Sequence, residues 1–304
     1  MNLGKFISAV ALALMLPVAS KAQESVPANE AFGFMGFPRS AVSSGMAGAG
    51  CALTSGSAAL ATFDNPAVLP VAVGKIDAGV VYSHTLSNNL GGGVALRLGK
   101  GFAVSAAVLD QIHPVKDFGG SYGTFAPNDL VVAGGFGFSI AGHVSFGLSV
   151  RYVNQKLMSD YSLSSVVFTA MAQYRLAGFN VAAGIANFGS GVKSESGSTS
   201  PLPASARLAA SYEFALGPGT FGAALDADYY FSGKIGVSAG IQYGLWDMIY
   251  ARAGYRYASQ GAVFPSHLAL GLGTKWKMLQ LDVHYITANA QIGGSLGAGL
   301  SIRF

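Results

Sequence analysis

The chain has 304 residues, of which 51% are hydrophobic and only 11% charged, with a formal net charge of +4, 42 glycines and 13 tyrosines. A soluble domain carries roughly 25% charged residues, and a wet surface this poor in charge aggregates. The apolar residues are not gathered into several runs of about 20, as a bundle of membrane helices requires, so composition leaves a membrane β-protein.

Residues 1–22 read as a secretory signal. Lys5 supplies the positive start, Ile7 to Val18 the apolar core, and Ser20, Lys21 and Ala22 a small-x-small cleavage site. Cleavage after Ala22 is expected, leaving Gln23 first. The signal holds Lys5 and Lys21 and no acid, so the charge falls from +4 to +2, which is no basis for nucleic-acid binding. Cys51 is the single cysteine. It has no intramolecular partner, lies too far from the cleavage site to be lipidated, and reads as a small buried residue.

Residues 23–74 do not alternate. Small residues dominate, with Gly45, Gly48, Gly50 and Ala52 in one block, which lets main chain pack closely in a confined space. Asn65 followed by Pro66 favours a turn.

From Lys75 onward the pattern changes to period two, that of a strand whose faces meet different surroundings. Val144, Phe146, Leu148, Val150 and Tyr152 alternate with Ser145, Gly147, Ser149 and Arg151. Phe221, Ala223, Leu225, Ala227 and Tyr229 alternate with Gly222, Ala224, Asp226 and Asp228. About fourteen such segments begin near residues 76, 89, 101, 129, 143, 162, 178, 204, 219, 234, 247, 267, 277 and 294. Each is near the length of about 9 to 11 residues that a tilted membrane strand needs. Leu130 to Val150 contains no formally charged residue and is long enough for a membrane helix. Its five glycines and a tight turn at Ala141 to His143 favour a hairpin instead.

Every second connection is tight, as at Gly99–Gly101, Leu176–Gly178, Leu216–Gly219, Leu245–Asp247 and Lys275–Lys277; the long ones, His113 to Asn128, Asn187 to Pro203 and Tyr257 to Pro265, fall in the intervening set. Short inner turns, long outer loops and an even strand count are the topology of a bacterial outer-membrane barrel. Aromatics agree. Tyr82, Tyr152, Tyr229, Tyr255, Tyr257 and Tyr285 fall near the ends of strands running outward, and Tyr174, Tyr212, Tyr243, Trp276 and Phe304 near the ends of strands running back. They predict two interfacial girdles. The last segment, Ser295 to Phe304, should close the ring against the segment near Ile76, with Phe304 at the periplasmic rim as the recognition end for the barrel-assembly machinery. The fold expected is all-β: a transmembrane antiparallel β-barrel of about 14 strands over residues 75–304, embedded in outer-membrane lipid, with an N-terminal hatch or plug over residues 23–74.

Candidate chemistry is thin. Gly236 to Gly240 and Gly293 to Gly297 match a G-x-S-x-G elbow, but that motif needs a strand, a sharp turn and a helix, whereas Ser238 falls mid-strand on the lumen face. Gly48 and Gly50 lack the βαβ unit of a dinucleotide loop, and no Gly-Lys pair precedes Ser or Thr as a phosphate loop requires. The five histidines show no metal-ligand spacing. Catalytic residues, metal and cofactor are therefore not expected. Lumen parity instead collects Arg97, Arg151, Arg175, Arg207, Glu213, Asp226, Asp228, Arg252, Arg256, Asp282, His284 and Arg303. On the lipid face an arginine would cost roughly 2–4 kcal/mol at the midplane; inside, opposite signs can pair with one another or with a plug. They serve either as packing or as a polar path or docking surface.

Phe34, Pro38, Ser40 and Ala41, then Gly45, Gly48, Gly50 and Ala52, then Ala58 through Asn65, Pro66, Ala67 and Leu69, resemble the opening of the PorV/PorQ family of Bacteroidetes outer-membrane barrels tied to type IX secretion. More distantly the block is similar to the FadL long-chain fatty-acid transporters, in which a glycine-rich segment ending in Asn-Pro-Ala forms a hatch inside the barrel. The resemblance implies a hatch over Ala28 to Gly74 with Asn65, Pro66 and Ala67 at its turn. It implies a non-enzymatic protein of a Gram-negative outer membrane that binds or shuttles type IX secretion components or cargo. The alternative is a passive transporter of small hydrophobic molecules. A continuous apolar pocket between hatch and wall favours transport; a dry, charge-paired plug favours partner binding.

Overall fold

A computed structural model of the chain describes residues 30–85, 88–117, 119, 123–193, 197, 199–287 and 294–304. The secretory signal, its cleavage point after Ala22 and residues 23–29 of the hatch lie outside the described residues.

Fourteen antiparallel strands close into one barrel. They are β1 (Ile76–Thr85), β2 (Leu90–Lys100), β3 (Phe102–Ile112), β4 (Asn128–Ile140), β5 (Val144–Lys156), β6 (Ser162–Leu176), β7 (Phe179–Gly189), β8 (Ser205–Leu216), β9 (Gly219–Tyr230), β10 (Ile235–Leu245), β11 (Ile249–Ala258), β12 (His267–Trp276), β13 (Leu279–Ile286) and β14 (Ser295–Arg303). Every strand begins within two residues of the position read from the alternation. Leu130 to Val150 is a hairpin, with β4 and β5 paired from Ile140–Val144 outward. The ring shuts where β1 meets β14, in a register that sets Asp77 opposite Arg303. There the Phe304 carbonyl accepts from the Lys75 and Ile76 N–H groups, at 2.6 and 3.2 Å.

Period two becomes two walls. Val80, Val94, Phe136, Leu225, Leu272 and Leu300 are exposed around the outside, while Ser105, Ser149, Thr169, Gln173, Ser238 and Ser301 are buried within. An unbroken apolar belt of this kind is solvated by hydrocarbon. Tyr82, Tyr152, Tyr229 and Tyr257 stand exposed toward one rim and Tyr174, Tyr212, Trp276 and Phe304 toward the other, as expected for girdles. The tight turns make the second rim the inner one. At one of these turns Trp246 and Asp247 both have positive φ, 53° and 55°, the twist that joins adjacent strands in two or three residues.

Residues 30–74 fill the barrel. They form short turns of helix, Gly33–Gly36, Ala41–Ser44, Ala61–Asp64 and Pro66–Val71, too short to stand alone and stabilised by what surrounds them. Phe32, Leu60 and Phe63 pack against Ala107, Leu109, Val131, Val153 and Val167 of the wall. The long outer connections turn inward in part. Val192 and Leu202, flanking the small hairpin of Val192–Lys193 with Thr199–Ser200, are buried in that same cluster. Phe264 is buried against Phe37, with ring centroids 4.6 Å apart. Apolar side chains on these loops have no lipid to face, so they cover the hatch.

Candidate functional site

The wall holds the hatch mostly by its main chain. Gly50 has φ of 122°, a conformation open to glycine. The N–H groups of Gly50 and Cys51 both donate to the Asp226 carboxylate, at 3.1 and 2.9 Å. Asn65 caps Pro66–Val71 by accepting from the Ala67 N–H at 3.0 Å. Its Nδ2 donates to the Cys51 carbonyl at 2.8 Å and to Gln173 Oε1 at 2.7 Å, and Gln173 in turn donates to the Ala52 carbonyl at 3.1 Å. Gly45 lies against the main chain of β12, where a Cβ would come 2.9 Å from Gly271 Cα. Fully buried Arg97 donates to the carbonyls of Leu69 and Gly74, both at 3.0 Å. Arg151 donates to Thr169, at the irregularity between β6 and β7, to Asn187 and to the Phe63 carbonyl.

The remaining charges pair along the register. Arg207 and Asp228 sit directly opposite on β8 and β9 and meet at 2.7 Å. The other Asp228 oxygen lies 3.2 Å from the Arg256 guanidinium, which also donates to Ser238 Oγ at 2.9 Å. Ser238 Oγ in turn donates to the Ala47 carbonyl at 2.9 Å, so the serine of the elbow-like motif is a hatch anchor within β10. Arg252 meets Asp282 at 2.7 Å. Across the seam, Arg303 lies 3.1 Å from Asp77 and donates to the carbonyls of Ser55 and Gly56, while Asp77 accepts from Ser57 Oγ at 2.8 Å and from the Ala58 and Ala59 N–H groups. Arg175 stays at the inner rim on the Gly142 carbonyl, and Glu213 accepts from Gln242. Cys51 is buried, and burial pushes its thiol well above the ordinary value, which keeps it protonated.

The plug is not uniform. In the outer half of the barrel, between hatch residues Phe34 to Ser44 and the ends of β1, β3, β4 and β13 nearest the outer loops, lies a cavity of about 290 Å³. Phe34, Phe37, Pro38, Leu109, Val131 and Ile286 give it apolar surface, and Arg39, Asp110, His113, Asp129 and His284 contribute polar groups. A pocket and a charge-paired plug therefore coexist in the barrel.

Of the hatch motif, Phe34 and Pro38 line this cavity, Gly48 packs against Phe264, and Gly45, Gly50, Asn65, Pro66 and Ala67 are the points of closest fit or hydrogen bonding to the wall. Asp77 and Gln173 were not singled out from the sequence, although parity alone places both in the lumen. The inward turn of Phe264 had no such signal.

No family model matches the sequence, and no curated protein matches it. Among solved structures, the Ralstonia pickettii toluene transporter TbuX superposes with a TM-score of 0.62 at 13% identity, over 88% of this chain and 98% of that one. The P. putida toluene transporter TodX gives 0.59 at 14% identity, over 87% and 98%. A Pseudomonas aeruginosa FadL homologue gives 0.56 at 13%, over 86% and 96%. At these identities what is shared is the fold: a closed barrel of the FadL-like kind.

Proposed function

We propose that this protein is an outer-membrane channel through which small hydrophobic molecules pass by way of the cavity beside the hatch. The observation that carries this reading is the cavity: about 290 Å³, with Phe34, Phe37, Leu109 and Val131 giving apolar surface and Arg39, Asp110, His113, Asp129 and His284 giving polar groups, a combination that can hold and orient a small molecule. The toluene transporters of the same fold support it. Below the cavity the lumen is occupied by Pro66–Val71 and its anchors, so passage requires the hatch to shift. In cells with an intact lipopolysaccharide layer, expression of the protein is expected to raise entry of the hydrophobic dye N-phenyl-1-naphthylamine several-fold. Val131→Trp, which fills the cavity, should return entry to the level of cells without the protein. Wild-type protein that reaches the outer membrane without raising entry would sink the reading.

A second reading, in which the outer face serves type IX secretion components or cargo, draws on the resemblance of Phe34 to Leu69 to the PorV/PorQ opening. It draws also on the small hairpins in the outer connections, Lys116–Asp117 with Thr124–Phe125 and Val192–Lys193 with Thr199–Ser200. Pull-down from mild detergent that recovers neither counts against it.

Phe304 enters the proposal as the mark read by the barrel-assembly machinery: the residue is 56% exposed at the inner rim while its main chain bonds across the seam. Phe304→Ala is expected to lower the folded, heat-modifiable fraction in the outer membrane, and unchanged assembly would remove that role.

A further inference from the structure

Among the described residues lining the cavity beside the hatch, one has a buried polar side-chain atom without a partner. His284, on β13, lines the cavity and is only 8% exposed, and its Nδ1 is buried with no hydrogen-bond partner among the described residues. The other charged or imidazole groups of the lining are engaged. His113 meets Asp129 at 2.7 Å, and the second Asp129 oxygen accepts from Gln155 Nε2 at 2.7 Å. Asp110 accepts from Asn128 at 3.4 Å, and Arg39 donates to the Phe34 carbonyl.

Gly297 stands directly across from His284 on β14, and a Cβ there would come within 2.3 Å of the imidazole. The wall thus carries no side chain where the ring lies. With no hydrogen bond to fix it, the ring can turn about Cβ–Cγ, a torsion of broad preference, and offer either nitrogen to the cavity. A buried polar group without a partner is unfavourable to the fold, and a bound hydroxyl would remove that penalty.

Size narrows the ligand. The volume of about 290 Å³ is roughly twice the about 150 Å³ that suffices for benzene. It lies at the lower end of the range for small-molecule sites, which is room for one substituted ring. Phe34, Phe37, Leu109 and Val131 supply the apolar contact. Resting on the transport reading above, we propose that the preferred ligands are single-ring aromatic molecules bearing one hydroxyl, phenols rather than bare hydrocarbons, with the hydroxyl donating to the His284 imidazole.

The test is calorimetric titration of the full chain in detergent micelles with p-cresol and with p-xylene, which differ by hydroxyl for methyl, each referenced to micelles alone. Wild type is expected to bind p-cresol about tenfold more tightly, the return on roughly one net hydrogen bond. His284→Phe should bind p-cresol no better than p-xylene, and His284→Gln should restore part of the preference. Equal wild-type affinities overturn the inference and leave the transport reading standing. Binding of neither molecule overturns both. Should the variants fail to fold, the imidazole ¹⁵N resonances of His284 in wild type decide: they are expected to move on addition of p-cresol and not of p-xylene, and identical behaviour overturns the proposal.

Discussion

Asp228→Ala is expected to destabilise the barrel by about 3–5 kcal/mol, the cost of leaving a buried ion pair with one partner removed. Asp228 is 5% exposed and answers two guanidiniums, Arg207 at 2.7 Å and Arg256 at 3.2 Å. Its loss leaves two guanidiniums without the carboxylate they share. Guanidinium unfolding in micelles reads this through Trp246 and Trp276, which are exposed at the inner rim. The midpoint should fall well below that of wild type, and Asp228→Ala with Arg256→Met should recover a large part of the loss by removing one orphaned charge. A midpoint unchanged by Asp228→Ala would show that the network contributes nothing to stability.

Gly147→Val is expected to dislodge the hatch while the barrel remains. A Cβ at Gly147 would stand 2.1 Å from the Pro66 carbonyl carbon and 2.3 Å from the Ala67 nitrogen. These are main-chain atoms with no rotamer to change, so overpacking of this sort costs typically about 1–3 kcal/mol and is relieved by movement of the weaker element. The weaker element is the hatch, which makes no ladder with the wall. In planar bilayers the variant should show open steps with conductance several-fold above wild type, and Gly254→Val, whose Cβ would come 2.3 Å from Met46 main chain, should do the same. Gly134→Val, where the nearest atom is 4.0 Å away, serves as the control. If Gly147→Val conducts no better than Gly134→Val, the hatch is not what closes the lumen.

The wall was legible because each strand separates two media of opposite kind, so Val144 to Tyr152 admit one assignment of faces. The same parity put Arg207, Asp226, Asp228, Arg252, Arg256 and Asp282 in the lumen, and the tight turn at Leu216–Gly219 fixes the Arg207–Asp228 pairing by register. Asp77 and Gln173 follow from the same rule. Which charges hold the hatch was not legible. Asp226 reaches the Cys51 N–H across 175 residues of sequence, and the segment it binds has no period to place it. The cavity is a gap between two surfaces of which only one repeats, and Phe264 lies on a loop that repeats nothing. Main-chain anchoring adds to the difficulty, since a carbonyl at Leu69 or Ser55 leaves no mark on residue identity.

Asp77 and Arg303 belong to the one strand pair that no turn connects, and each also grips the hatch between Ser55 and Ala59. Closing the ring and seating the hatch are therefore coupled: with the hatch displaced, the two residues at the seam would meet with much of their hydrogen bonding unmet. An empty barrel is then a less well sealed one. On the transport reading, the hatch would pivot about Ser55 to Ala59, its clamped middle, with Phe34 to Ser44 yielding on the cavity side and Pro66 to Val71 on the inner side.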